Sequence, residues 1–172
     1  IKVCFTGHFH SQDISQKYGL TDIETGSTVS YPHPYRLIDV DTDKGVMQIR
    51  SEKVQTLASM HDAPETLQQN SEHFATSALC SVMETMVPQK VPADVKKNCA
   101  QVLGEAYAMH LAGDEHPSAS FKQQLKSAVK QLKHYSWKWA FIMQRIGKYL
   151  STDTGESDNQ TTIKYKNKTN RG

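Results

Sequence analysis

Two histidines separated by a single residue give this sequence its clearest chemical signal, in the segment Gly7-His8-Phe9-His10. In an extended chain, alternate side chains lie on one side of the backbone, about 6.6 Å apart at Cα. Both imidazoles would then face one space, with Phe9 pointing away from it as an anchor. Two metal ions ~3.5–4 Å apart, as in dinuclear hydrolytic sites, could each take one ring. The spacing therefore predicts His8 and His10 as metal ligands.

Gly7 adds to this prediction because a residue without Cβ lets the backbone turn sharply or come close to a metal-bound phosphate. We expect its backbone to contribute to substrate binding. Gly-His-x-His is nevertheless a short pattern, and two histidines around an apolar residue are more often surface or hydrogen-bonded core groups. The context favours the ligand interpretation, because an apolar strand precedes the pattern and the segments Glu24–Ser27 and Tyr31–Ile38 follow it.

A further histidine, His33, lies between Pro32 and Pro34 and could lean over the site after the chain returns. Histidines in proline-constrained turns are more often structural, so we predict no ligand role for it. Four others lie in predicted linkers or helices without a second ligand at metal spacing, which predicts surface or capping roles. These are His61, His110, His116 and His134.

The residues that position this segment have the patterning of strands and loops. Short β-branched and aromatic runs predict strands at Ile1–Phe5, Ser27–Tyr31, Tyr35–Asp41 and Val46–Arg50. Between the last two lies a turn in which Gly45 can supply a positive φ. We therefore expect the last two strands to form a hairpin.

From Pro64 the apolar pattern changes to a period of 3.6 residues. One helix is predicted to begin there and to stop before Pro88, and a second to begin after Pro92 and to end at Gly113. A third helical region covers 118–150, with a phase shift that would allow two helices. Each helix has one apolar stripe, so the stripes should close a shared core. Five residues are predicted to be buried there: Phe74, Val82, Val102, Leu125 and Trp139.

These patterns predict an α+β fold with three parts. Residues 1–62 would be strands and loops, 63–150 a bundle of three or four helices, and 151–172 a flexible polar tail. The tail is predicted because its few apolar residues would not offset the entropy of ordering it. The helices could also support an oligomer.

The composition of the 172 residues, 37% apolar and 22% charged with a formal net charge of +2, gives no broad electrostatic reason to expect nucleic acid as a partner. No apolar run reaches the ~20 residues of a membrane helix, so we expect no membrane insertion. The chain begins without Met and directly in a strand-like run. We therefore expect residue 1 to be an internal position of a longer protein.

The run Val3–Ser11 resembles the last sequence block of calcineurin-like metallophosphoesterases. Thr25-Gly26-Ser27 followed by Tyr35-Arg36-Leu37 is similar to the closing strands of the same catalytic domain. The resemblance covers residues 1 to about 55 and does not extend into the helices. It implies that the strands are the terminal strands of a metallophosphoesterase β-sandwich.

The resemblance also implies that His8 binds one of two divalent transition metal ions (Mn, Fe or Zn) and His10 the other. A hydroxide bridging the metals would hydrolyse phosphate mono- or diesters. The family's earlier blocks, Asp-x-His, Gly-Asp-x-x-Asp and Asn-His, do not occur in this sequence. The chain alone would therefore lack most metal ligands and be inactive. The alternative is a helical binding or oligomerisation module with a degenerate, metal-free strand region.

Overall fold

The computed structural model describes residues 2–57, 64–153, 155 and 157–165. Within these residues the chain forms five strands, then four helices, then a sixth strand. The strands make two sheets of three, and the helices pack on one another. The predicted α+β class is confirmed.

The first sheet contains the three strands β1 (Val3–Thr6), β2 (Asp13–Lys17) and β3 (Leu20–Glu24), in the order β1-β3-β2. Strands β2 and β3 form a hairpin, whose turn residues Tyr18 and Gly19 have φ values of 53° and 78°. Strand β1 lies parallel to β3. The sequence analysis did not predict β2 or β3, because β2 is mostly polar and lacks a β-branched run.

The second sheet is built on the predicted hairpin, now β4 (Pro34–Asp41) and β5 (Val46–Lys53). Gly45 has φ 65°, so the positive φ expected at the turn is confirmed. The predicted strand at Ser27–Tyr31 is wrong. This segment is a turn instead, in which the Ser30 amide donates to the Ser27 carbonyl at 3.2 Å.

The sheet is completed by β6 (Gln160–Lys164), which pairs antiparallel with β5 and places Ile163 opposite Met47. The predicted flexible tail is therefore wrong for these residues. Every second side chain of β6 is half-buried, so this polar segment gains both ladder hydrogen bonds and some apolar contact. Its composition alone carries no sign of that partner strand.

The helices begin and end close to the predicted positions. They are α1 (Pro64–Met86), α2 (Ala93–Ala112), α3 (Ala119–Lys133) and α4 (Trp137–Leu150). Gly113 ends α2 with φ 60°. The phase shift in 118–150 is a real break, where the Ser136 hydroxyl accepts the Trp139 amide and begins α4.

The core lies mainly among α2, α3 and α4, which all contact one another, whereas α1 packs against α2. Val102 is buried, and Leu125 and Trp139 are partly buried against the core, as expected. The burial prediction is wrong for Phe74 and Val82, which are 77% and 48% exposed. With one helical neighbour, α1 buries a narrow face, and that face does not include these two residues.

None of the helices in the described part of the chain combines the length and apolar character required to cross a bilayer.

Candidate functional site

The segment with the two candidate ligands follows the end of β1 and is not extended. His8 has φ 103° and His10 has φ 63°, values that side-chain-bearing residues rarely adopt. The expectation of an extended backbone with alternating side chains is therefore wrong here. Phe9 is 78% exposed and does not act as an anchor, and its ring lies edge-on to the His8 ring at 5.5 Å.

The end of β3 holds this turn in place. The Phe9 amide donates to Glu24 Oε1 at 3.3 Å, and the Thr25 amide donates to the Thr6 carbonyl at 3.1 Å. Gly26 packs directly on the His10 backbone, where an added Cβ would lie 2.9 Å from the His10 carbonyl oxygen. The conformation of the histidine turn thus depends on residues about fifteen positions later in the sequence.

The His10 ring has a partner that orients it. Its Nδ1 lies 3.4 Å from Ser30 Oγ, and that hydroxyl lies 3.4 Å from the Ser27 carbonyl. When the Ser30 hydroxyl donates to this carbonyl, its oxygen accepts Nδ1–H of His10. In this tautomer Nε2 of His10 carries a lone pair and is the nitrogen suited to bind a metal.

His33 also has a positive φ, 58°. Its Nδ1 lies 3.1 Å from the Thr28 carbonyl and must be the donor. Its Nε2 is buried and has no hydrogen-bond partner among the described residues. An enclosed, unpaired nitrogen destabilises the fold by about 1–3 kcal/mol, so the loop is held there by other contacts.

The surroundings of Gly7 leave room for a Cβ, so close packing does not explain why this residue is glycine. A Cβ there would make only an ordinary contact, 3.5 Å from the Thr25 carbonyl oxygen. Its contribution to substrate binding stays a prediction.

A cleft of about 460 Å³ separates the histidine turn from helices α1 and α2. His10 and His33 both line it, so the fold brings together two histidines that are 23 positions apart. The other lining side chains are mostly apolar or aromatic and come from the 29–31 turn and the two helices. They are Val29, Ser30, Tyr31, Leu67, Asn70, Ser71, Phe74, Ala75, Ala78, Tyr107 and Leu111.

Behind the histidine turn, Arg36 of β4 joins the two sheets. Its guanidinium donates to the backbone carbonyls of Glu24 and Asp158, both at 2.7 Å, and to the Ser51 hydroxyl at 3.3 Å. Burial lowers the pKa of Arg36, while the charges of Asp158 and Asp13 oppose that shift. The guanidinium of this β4 residue is thus held mainly by carbonyl oxygens of the first sheet and of the segment before β6.

Two amides complete this junction. The fully buried Gln12 accepts the Gly26 amide at 2.8 Å and donates to Ser51 at 3.0 Å. Asn159 donates to the carbonyls of Ala112 and Gly113, at 2.8 and 2.9 Å, at the end of α2. Sequence reasoning missed these residues, because an isolated polar residue carries no pattern that distinguishes a buried position from an exposed one.

No group of three or more His, Cys, Asp and Glu side chains arranged to hold a metal ion occurs within 2–57, 64–153, 155 and 157–165. His8 and His10 are both exposed, so neither ring is closed off from an ion or from further ligands. The turn exposes two imidazoles, and the Glu24 carboxylate contacts its backbone at the Phe9 amide.

Comparison with known proteins adds no relative to this picture. No protein-family model matches the chain, and a search of curated proteins finds no match.

Proposed function

We propose that this chain is the C-terminal portion of a calcineurin-like, dinuclear-metal phosphoesterase that hydrolyses phosphate mono- or diesters. His8 and His10 would each supply one ligand to one of two divalent transition metal ions. The observation that supports this most is the backbone of the histidine turn, where both residues have positive φ values of 103° and 63°. Such conformations cluster at functional sites.

The backbone conformation of the histidine turn is unfavourable for residues that carry a side chain. A side-chain-bearing residue in a sparsely populated region costs about 1–3 kcal/mol, and glycine would adopt the same φ without that cost. Two exposed histidines contribute no apolar burial that would offset it. A functional requirement for an imidazole at each position would explain why both are histidine and not glycine.

The donor set fits a transition metal better than calcium or magnesium, because imidazole is a nitrogen ligand of borderline softness. With the Ser30 hydroxyl accepting Nδ1–H of His10, Nε2 would be free for the ion, and Glu24 holds the backbone between the two histidines. When bound, Mn, Fe or Zn ions supply the Lewis-acid chemistry of phosphoester hydrolysis. The remaining ligands would come from outside the described residues.

Paramagnetic NMR of the intact chain tests this assignment. Sub-stoichiometric Mn²⁺ should broaden the ring resonances of His8 and His10 before those of the exposed His116, because broadening falls steeply with distance from the ion. His8→Ala and His10→Ala should each weaken binding, whereas His116→Ala should not. Broadening that spreads evenly over all histidines would contradict the proposal.

In a protein that also contains the missing ligand blocks, we expect two metal equivalents, with either substitution removing about one. Metal analysis of the purified protein measures this directly. Unchanged metal content in both variants would exclude His8 and His10 as ligands.

A second candidate function, a binding or oligomerisation module, is favoured by apolar side chains exposed on the helices. Phe74 and Met86 on α1 and Phe141 and Tyr149 on α4 are all exposed. A contiguous apolar patch formed by such side chains would mark an interaction site. Light scattering of the purified chain distinguishes the two, since an obligate module of this kind would be oligomeric at micromolar concentration and insensitive to His8→Ala.

A further inference from the structure

We propose that the 460 Å³ cleft beside His10 holds the organic group of the phosphoester, and that this group is aromatic or otherwise apolar. The proposal rests on the proposed function, because the histidine turn defines where the phosphorus would lie. It adds a substrate class that the two metal ligands do not specify.

The lining of the cleft indicates what it can hold. None of the described residues that line it is Lys or Arg, so it offers no fixed cation to a phosphate. Instead it presents Val29, Leu67 and Leu111 together with three rings, those of Tyr31, Phe74 and Tyr107. An apolar cleft with a few polar tips, in the volume range of about 300–1,000 Å³, is typical of small-molecule sites.

His10 belongs to both the cleft and the proposed metal site. It therefore relates the position of the substrate's phosphoryl group to that of its organic group. With the phosphoryl group at the His10 ring, the ester oxygen and its substituent extend toward α1 and α2. Phosphoesters of aromatic or apolar alcohols would bury their substituent there. Small, highly hydroxylated sugar phosphates would leave apolar surface uncovered and find few partners.

The exposure of the residues at the cleft agrees with this assignment. Phe74 and Val29 both line the cleft and are among the most exposed large apolar side chains in the described residues. A ring between them would remove apolar area from water at about 25 cal/mol per Å². Tyr31 stays a neutral donor, since burial and the charges of Glu72 and Asp114 raise its pKa to about 12.

The experiment uses the intact chain without metal, in chelator, with phenol as the probe and inorganic phosphate as the comparison. Backbone-amide NMR titration should show saturable shifts with phenol that are confined to the segments lining the cleft, which are His10, the 29–33 turn, 67–78 of α1 and 107–111 of α2. Phosphate should leave these resonances unchanged. Ala78→Trp, an exposed position that lines the cleft, should weaken phenol binding at least about tenfold by occupying the space of one ring.

Ala119→Trp, at an exposed position at the start of α3, is the matched control and should bind phenol as the unmodified chain does. The proposal would be overturned by phenol shifts that do not saturate or that occur outside the cleft. It would also be overturned by shifts that persist in Ala78→Trp, provided that the amide spectrum of this variant is unchanged outside the cleft. Because the titration contains no metal, its failure is distinguishable from failure of the His8 and His10 assignment, which the Mn²⁺ experiment measures separately.

Discussion

At the scale of single residues, Asp158 is a buried carboxyl group whose pKa the fold raises. It is 4% exposed, and its Oδ1 accepts the Ile14 amide at 2.7 Å. Burial raises its pKa to about 7; the Ile14 hydrogen bond opposes that shift, and the carboxylates of Glu115, Asp13 and Asp153 reinforce it. The folded chain therefore binds a proton at this position that the unfolded chain releases near pH 4.

The stability of the chain should therefore fall as pH rises. Between about pH 4 and 7 the folded state holds more protons than the unfolded state, so the stabilisation is complete below the unfolded pKa and is lost as pH passes the folded pKa. Asp158→Asn keeps an oxygen for the Ile14 amide and removes the titration. We expect it to reduce the loss of unfolding free energy between pH 5 and 8 by about 1–2 kcal/mol.

Urea unfolding at several pH values measures this effect, with Asp39→Asn on the exposed part of β4 as the control. The pKa of His110 is also raised, mainly by its hydrogen bond to Glu115, so some pH dependence of the same sign should persist in the variant. A variant whose pH profile matched that of the unmodified chain would show that Asp158 does not titrate in this range.

At the scale of elements, the end of α2 is where the helices meet the sheets. Gly113 has φ 60°, and a Cβ there would lie 2.8 Å from the Gln12 carbonyl oxygen and 3.0 Å from Asp158 Cβ. Gly19 in the β2–β3 turn has φ 78° and nothing within 4 Å of the same position. Both glycines therefore need a left-handed backbone, and Gly113 also lacks the space that a Cβ would need.

Gly113→Ala should destabilise the chain by about 3 kcal/mol, and Gly19→Ala by about 1 kcal/mol. Both alanines would have to adopt a left-handed conformation, which costs about 1–2 kcal/mol. At Gly113 the overpacking against backbone adds about 1–3 kcal/mol, since a carbonyl cannot rotate away as a side-chain end can. Equal losses in chemical denaturation would mean that the close approach of α2 to Gln12 relaxes at little cost.

At the scale of the whole molecule, the polar junction of Gln12, Arg36 and Asn159 connects the two sheets to the end of α2. The histidine turn lies at the edge of this assembly, and among the described residues Glu24 is the carboxylate that contacts its backbone. Two imidazoles do not offset the charge of two divalent cations, which need carboxylates as ligands and bridges. Under the proposed assignment, the chain would supply two imidazole ligands but not the carboxylates that such a site needs.

We therefore expect no Mn²⁺-dependent hydrolysis of 4-nitrophenyl phosphate by the 172-residue chain alone. The control is the same assay after His8→Ala, which should give the same background rate. Turnover that His8→Ala abolishes and His116→Ala leaves intact would contradict this expectation and show that the chain completes a site by itself.

Elements with local causes could be predicted before the fold was known. Prolines and Gly113 bound the helices, the 3.6-residue period located α1 to α4, and Gly45 specified the β4–β5 turn. These features depend on the conformational preferences of neighbouring residues, so a short segment of sequence is enough to predict them. The type of the candidate ligands, though not their geometry, could be identified in the same way.

Features that depend on a distant partner could be seen only in the folded chain. Strand β6 exists because β5 offers it a ladder, and the histidine turn departs from an extended chain because Glu24 and Gly26 hold it. Phe74 is exposed to solvent because α1 has a helical neighbour on one side. In each case the deciding energy is a hydrogen bond or a packing contact between residues far apart in sequence, which local propensity does not contain.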